Sequence, residues 1–234
     1  MTFTEDAWAF TSALRASIDD LPFVQALADG SLDRAVFTRY LTQDALYLAE
    51  YGRVLAAAAS QSTDPDELIF WASAAQGALV VERALHARHV DDVGEATMTP
   101  VTTAYTSYLW SLVAQGCYPA LAAGLLPCFW IYDDVGTRLV GEAGDLADHP
   151  YGDWIATYGD PDFAESTRQA RAIVDALATA SAPSLTERMH HAFLTSCRFE
   201  WMFWDAPLQL DSWPDPAPTS SQETESTRFN SAER

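Results

Sequence analysis

The 234-residue chain is 49% hydrophobic, enough to bury one sizeable core, and sets 33 acidic against 13 basic residues for a formal charge of -20. Every basic residue is arginine, and this balance excludes nucleic acid and anionic lipid surfaces as partners by repulsion. Cys117, Cys128 and Cys197 are too few and too oddly numbered for a disulfide framework, which predicts free thiols in a reducing compartment.

The longest apolar run, Cys117 to Tyr132, contains Pro119 and Pro127 and ends at Asp133 and Asp134. It falls short of the roughly 20 residues a membrane helix needs. The amino-terminal MTFTEDAWAF is acidic where a secretory signal is basic, so a cytoplasmic location is expected. Acidity without lysine also fits a salt-rich cytoplasm, where a Debye length of about 3 Å at 1 M screens self-repulsion.

Apolar residues recur at the helical period almost everywhere and alternating runs are scarce, which predicts an all-α chain. In chain order, helices are expected at 4–18, 33–61, 65–92, 100–116, 119–141, 161–180 and 184–206, with shorter turns around 22–29 and 150–158. The start signals are Asp64-Pro65 with Glu67, Thr99-Pro100, Asp160-Pro161, and Ser184 with Glu187 as a capping box. Gly30, the Gly94 region and 141–150 read as loops. No repeat of solenoid length is present. A single compact bundle over 1–210 is therefore expected, followed by a tail at 211–234 whose Pro, Ser, Thr and Glu content predicts disorder.

Three apolar seams carry a polar group. Helix 33–61 has a stripe of Phe37, Tyr40, Leu41, Leu48, Tyr51 and Leu55 with Asp44 set into it. On helix 119–141, Cys128 falls between Leu125 and Tyr132, and on the last helix Glu200 falls between Phe193 and Phe203. Burying an unpaired carboxylate is costly, so each acid must be hydrogen bonded, paired, or facing a cavity. Arg53 or Arg83 could pair with Asp44 and Arg198 with Glu200, and a lone cysteine is more often core than nucleophile. Three such groups on three apolar faces point nonetheless to one cavity inside a bundle. Tyr47, Tyr51, Tyr105, Trp130, Tyr132, Phe203 and Trp204 are its candidate walls, and flat walls suit a flat ring.

Five segments together resemble the TenA (thiaminase II) family from about Phe10 to Asp205: PFVQALADGSL at 22–32, F-x-x-Y-L-x-Q-D-x-x-Y-L from Phe37 to Leu48, LLPCFWIY at 125–132, YGDWIATYG at 151–159 and FEWMFWD from Phe199 to Asp205. The Pro-Cys pair in LLPCFW is similar to the cysteine-containing branch. The resemblance implies a haem-oxygenase-like helical bundle, a homotetramer, and hydrolysis of a small-molecule aminopyrimidine or thiamin with no metal or organic cofactor. It also implies that Cys128 is the nucleophile, Glu200 the acid and base, and Asp44 the hydrogen-bonding partner of the aminopyrimidine. Tyr47, Tyr105, Tyr132, Tyr158 and Phe203 fall where that family places the remaining aromatic and hydroxyl groups of its pocket.

Such groups could run one reaction of thiamin salvage. A thiolate attacks a carbon of the electron-poor ring, the substituent on the exocyclic methylene leaves as amine or thiazole, and water adds to the methylene. Expulsion of the thiol then restores the ring as a hydroxymethyl aminopyrimidine. A free thiol is only a few per cent ionised at pH 7, so a base or cation must raise that fraction or take the proton during attack. Two rival readings remain. A metal-dependent oxidase would need more ligands than Glu82, His86 and His89 on one helix with Glu187 and His190 on another. A noncatalytic aminopyrimidine binder would leave Cys128 inert. His149 and His191 have no partner legible in the sequence and are expected near the surface.

Overall fold

The computed structural model describes residues 1–89 and 96–214, with backbone alone over 81–89. Ten helices are present among them: α1 (Phe3–Phe10), α2 (Ser12–Asp19), α3 (Pro22–Asp29), α4 (Arg34–Gln61), α5 (Pro65–His89), α6 (Pro100–Ala114), α7 (Tyr118–Glu142), α8 (Gly152–Tyr158), α9 (Pro161–Thr179) and α10 (Pro183–Gln209). The described residues contain no strand.

Local signals explain most boundaries. Asp33 opens α4 by accepting from the amides of Ala35 and Val36, and Thr99 and Asp160 cap α6 and α9 ahead of Pro100 and Pro161. Three expectations are corrected. The helix predicted over 4–18 is two helices, because Thr11 turns its hydroxyl onto the Ala7 carbonyl at 2.9 Å and leaves helical geometry at ψ 7°. The predicted turns at 22–29 and 150–158 contain helices α3 and α8. The Ser184–Glu187 capping box does not form. Helix α10 starts one residue earlier at Pro183, whose fixed φ suits the first helical position, and has no side-chain cap. Residues 90–92 of the predicted 65–92 helix lie outside the described residues.

Helix α7 is the axis of the bundle. It packs against α4, α6, α8, α9 and α10, and Ala120 through Tyr132 are all buried. Pro127 sits inside it, where a missing amide costs about 3 kcal/mol or more. Hydroxyls from two neighbours bond the carbonyls just before this proline: Ser196 of α10 donates to Gly124 at 2.6 Å, and Tyr51 of α4 donates to Leu125 at 2.8 Å. The helices bearing Glu200 and Asp44 are thereby tied to the one bearing Cys128. Helix α8 is set by Gly136, where an added Cβ would lie 2.5 Å from the Tyr158 carbonyl carbon.

Aromatic side chains fill the space around this axis, with Tyr40 stacked on Trp204 at 5.7 Å and Tyr132 beside Trp204 at 4.8 Å. Trp8 of α1 stacks on Trp130 of α7 at 3.9 Å, and Arg15 and Arg171 cover the two outer ring faces at 3.5 and 3.9 Å. The first residues of the predicted tail are anchored. Asp211 accepts from the Val101 amide and Trp213 donates to the Met98 carbonyl, while 215–234 lie outside the described residues. No helix among the described residues is long and apolar enough to cross a membrane.

Candidate active site

A cavity of about 610 Å³ opens between α4, α5, α7, α8 and α9. Its inner wall is Asp44, Leu48 and Tyr51 from α4, Cys128, Phe129 and Tyr132 from α7, and Tyr158 from α8. Its outer wall comes from the exposed or half-buried sides of α5 and α9, including Phe70, Ala74, Ala78, Phe163 and Gln169.

Four of the eight residues singled out by sequence, Cys128, Asp44, Tyr132 and Tyr158, line this cavity. The other four form a buried layer behind it. Tyr47 lies 4.9 Å from Tyr105 and 5.5 Å from Phe203 between ring centroids, and Tyr105 donates its hydroxyl to Glu200 at 2.7 Å. Glu200 is therefore inward, as its seam position predicts, and lies outside the cavity lining, while its charge is felt at Cys128. Its hydrogen-bond partner is a tyrosine and not the arginine its seam left open. Arg53 is occupied by Glu50, and the Arg83 side chain lies outside the described residues.

Burial dominates the electrostatics. Cys128 is 8% exposed, and burial pushes its thiol above the ordinary range. The Glu200 charge raises it further and Asp44 adds to this, while Tyr47 and Tyr51 pull in the opposite direction. Proximity to the acids therefore makes the resting thiol less acidic, so proton removal during attack is the route available to it. Glu200 is 1% exposed, and burial pushes its carboxyl up to about 8 against the Tyr105 hydrogen bond. At neutral pH it is mostly an acid with a minority ionised fraction, which suits a group that gives and takes protons.

Two residues gain importance from the structure. Tyr51, read from sequence only as a wall, spends its proton on the Leu125 carbonyl and lines the cavity beside Cys128. Tyr40 shares a hydrogen bond with Tyr132 at 3.0 Å and so fixes that ring from behind. The Tyr47 hydroxyl is buried near Cys128 and Tyr105 without a well-formed hydrogen bond. Phe70 and Phe163 were missed because their helices mark no polar group on an apolar seam.

Neither of the other thiols lines the cavity: Cys197 is fully buried on α10, where the Glu200 charge adds to the proton affinity that burial gives it, and Cys117 precedes α7. Of the candidate metal ligands, the side chains of Glu82, His86 and His89 lie outside the described residues. His190 sits 3.6 Å from Asp6 and against the Phe3 ring, and Glu187 borders a separate surface groove with His191. His149, for which the sequence offered no partner, meets the Ala28 carbonyl at 3.3 Å and accepts from the Tyr151 amide.

A family model described as TENA/THI-4/PQQC matches residues 16–210. An aminopyrimidine aminohydrolase of Halalkalibacterium halodurans is 33% identical over 200 residues, covering 82% of this chain and 89% of that protein. The thiamine biosynthesis multifunctional protein ThiED of Corynebacterium efficiens is also 33% identical, over 87% of this chain, but the chain spans only 28% of that relative's length. Among solved structures, a TenA family transcription regulator from Silicibacter superposes with a TM-score of 0.80 at 24% identity, covering 88% of this chain and 96% of that one. A Shewanella denitrificans domain with a heme oxygenase-like fold superposes with a TM-score of 0.69 at 15% identity, covering 86% and 90%. The all-α bundle is a single domain of that fold.

Proposed function

The chain belongs to the TENA/THI-4/PQQC family, and from that premise we propose that it is a hydrolase of thiamin salvage that releases an amine or thiazole from the methylene of an aminopyrimidine, with Cys128 as nucleophile and Glu200 as acid and base. The observation that carries this reading is Cys128 on a cavity wall beside Asp44, with the elevated carboxyl of Glu200 near enough to act on the thiol. The relative named aminopyrimidine aminohydrolase, matched over most of both chains, supports the same reaction class.

In this reading the ring lies against Tyr132 and Tyr158, and Asp44 accepts from its amino group. The ionised fraction of Glu200 takes the thiol proton as sulfur bonds to a ring carbon, and returns that proton to a ring nitrogen. Electrons flowing back from the ring expel the methylene substituent. Water adds to the methylene, Glu200 accepts its proton, and the carbon–sulfur bond breaks to restore the aromatic ring. The ring-nitrogen proton returns to the departing sulfur, and Glu200 passes its proton to the released amine or, when thiazole leaves, to solvent, so that the sum is cationic substrate plus water giving hydroxymethyl aminopyrimidine, the free leaving group and one proton. A proton relay through one raised carboxyl suits a thiol that burial keeps un-ionised at rest.

Purified protein incubated with aminomethyl aminopyrimidine and with thiamin, beside its Cys128→Ser variant, tests the proposal. Release of the hydroxymethyl product by the parent alone is expected. Equal hydrolysis by the serine variant would remove the covalent route, and ring binding without hydrolysis by either would leave a binding protein.

A further inference from the structure

The cavity is larger than its reactive end needs. A pyrimidine with its two small substituents has about ten non-hydrogen atoms, whereas sites of 300–1,000 Å³ take drug-sized ligands, and this one measures about 610 Å³. The surplus lies toward α5 and α9, where Phe70, Ala74, Ala78 and Phe163 make an apolar chamber edged by Asp160, Asp162 and Glu165. We infer that this outer chamber holds the leaving group and that its acidic edge selects unphosphorylated substituents, neutral or cationic, against phosphate esters. The inference rests on the reaction proposed above and adds its substrate class.

Three observations bear on it. Among the described residues, no arginine or histidine lines the cavity, and the chain has no lysine. The positive end of α9, which reaches the rim and would otherwise attract an anion, is already occupied. Asp160 accepts from the Asp162 amide through its side chain at 2.7 Å, and its own carbonyl accepts from the amides of Phe163 and Ala164. Arg168 turns both its Nε and Nη2 onto Glu165, so this cation beside the rim is already engaged with a carboxylate. A phosphate placed in the chamber would meet carboxylates and the neutral hydroxyls of Ser73 and Ser166, with no described cation to balance its charge. A thiazolium group would meet apolar walls and negative charge.

Calorimetric binding to the Cys128→Ser protein, which retains the chamber, provides the test, with thiamin and thiamin monophosphate as probes at low ionic strength. Thiamin is expected to bind at least roughly tenfold more tightly than its phosphate, the size expected when like charges face each other across a wet site. In a Cys128→Ser/Asp162→Asn/Glu165→Gln protein that ratio should fall several-fold, with the phosphate gaining affinity. Equal binding of the two probes by the Cys128→Ser protein overturns the inference and leaves the proposed reaction standing. A preference for thiamin unchanged by the two rim substitutions overturns it too, because shape and not charge would then set the preference. Failure of both probes to bind overturns the inference, and defeats the proposed reaction as well when aminomethyl aminopyrimidine also fails to bind.

Discussion

The two walls of the cavity are built on different terms. Along the inner wall and the layer behind it, Asp44, Tyr47, Tyr105, Cys128, Tyr132, Tyr158 and Glu200 are all buried, and burial is the leading cause of the raised proton affinity of Cys128 and Glu200. Along the outer wall, Asp160, Asp162, Glu165 and Gln169 are exposed, and water screens what they do. Chemistry that needs a displaced pKa sits where solvent is absent, and discrimination between leaving groups sits where solvent and substrate exchange. The inner wall sacrifices stability to hold a protonated carboxyl, whereas the outer wall can change without endangering the core.

The sharpest break of this contrast is substitution at the inner wall. Cys128→Ser should lower turnover by roughly a thousandfold or more while the ring still binds, since a hydroxyl is a far weaker nucleophile than a thiol at neutral pH. Glu200→Gln should lower it by about 10²–10⁴-fold, the range for a lost general acid–base, and should raise stability at alkaline pH. The carboxyl stands at about 8 in the fold against a usual 4.5, so the folded state holds a proton that the unfolded chain has released between those values. Its contribution is intact below pH 4.5 and is lost as pH rises through about 8, by at most roughly 5 kcal/mol at about 1.4 kcal/mol per tenfold change. Thermal melts from pH 4 to 9 check this. The parent should lose stability relative to Glu200→Gln across that interval, and parallel curves would mean that Glu200 is ionised in the resting protein.

Next in size is Gly136→Ala, which tests whether α8 is held at van der Waals limit. A methyl group there would lie 2.5–2.8 Å from Tyr158 atoms, two of them backbone, and overpacking of this kind costs about 1–3 kcal/mol. Denaturant titration should show that loss. Displacement of Tyr158 from the inner wall should also raise KM for the aminopyrimidine more than it lowers kcat.

The inner wall was readable in the sequence because burial left a trace there. Asp44, Cys128 and Glu200 each interrupt an apolar stripe, and a polar group on such a stripe signals either a partner or a cavity. The resemblance to TenA supplied Tyr158, which no stripe points to. The hydrogen bond from Tyr105 to Glu200 and the place of Glu200 outside the cavity lining were not legible, since helical period gives direction but not depth. Helix α7 hides its geometry differently: it is buried almost all round, so the stripe through Cys128 is one of several and Pro127 reads only as a break. The outer wall left no trace at all. Phe70, Ala74 and Ala78 lie on a helix that is apolar on most sides, LIFWASAAQGALV, where no face is distinguished, and the carboxylates at the start of α9 look like ordinary helix-starting residues. The split of 4–18 at Thr11 depended on one hydroxyl choosing a carbonyl four residues back, a competition that period alone does not reveal.

Tyr51→Phe acts at the junction of the two helices that carry Asp44 and Cys128. The hydroxyl gives its proton to the Leu125 carbonyl at 2.8 Å, and its loss leaves a buried carbonyl near Pro127 with one partner fewer, a cost of about 1–2 kcal/mol. The thiol loses a neighbour that lowers its proton affinity, so the alkaline limb of the rate profile should move to higher pH. A stability loss with an unmoved pH profile would confine Tyr51 to holding the helices together.

Phe163→Ala should have the smallest effect and makes the cleanest test of the outer wall. The ring is half-buried, borders the chamber and meets Tyr158 edge-on at 5.4 Å, so its removal should cost the fold only about 1 kcal/mol, less than a core phenylalanine. Its contribution to substrate depends on what occupies the chamber. For thiamin, whose second ring extends past the methylene, KM should rise by roughly threefold to tenfold as apolar contact is lost. For aminomethyl aminopyrimidine, whose leaving group is a bare amine that ends before the chamber, KM should stay within about twofold. Equal changes for the two substrates would mean that Phe163 acts through Tyr158 on the ring itself, and the division of the cavity into a reacting end and a leaving-group end would then fail at this position.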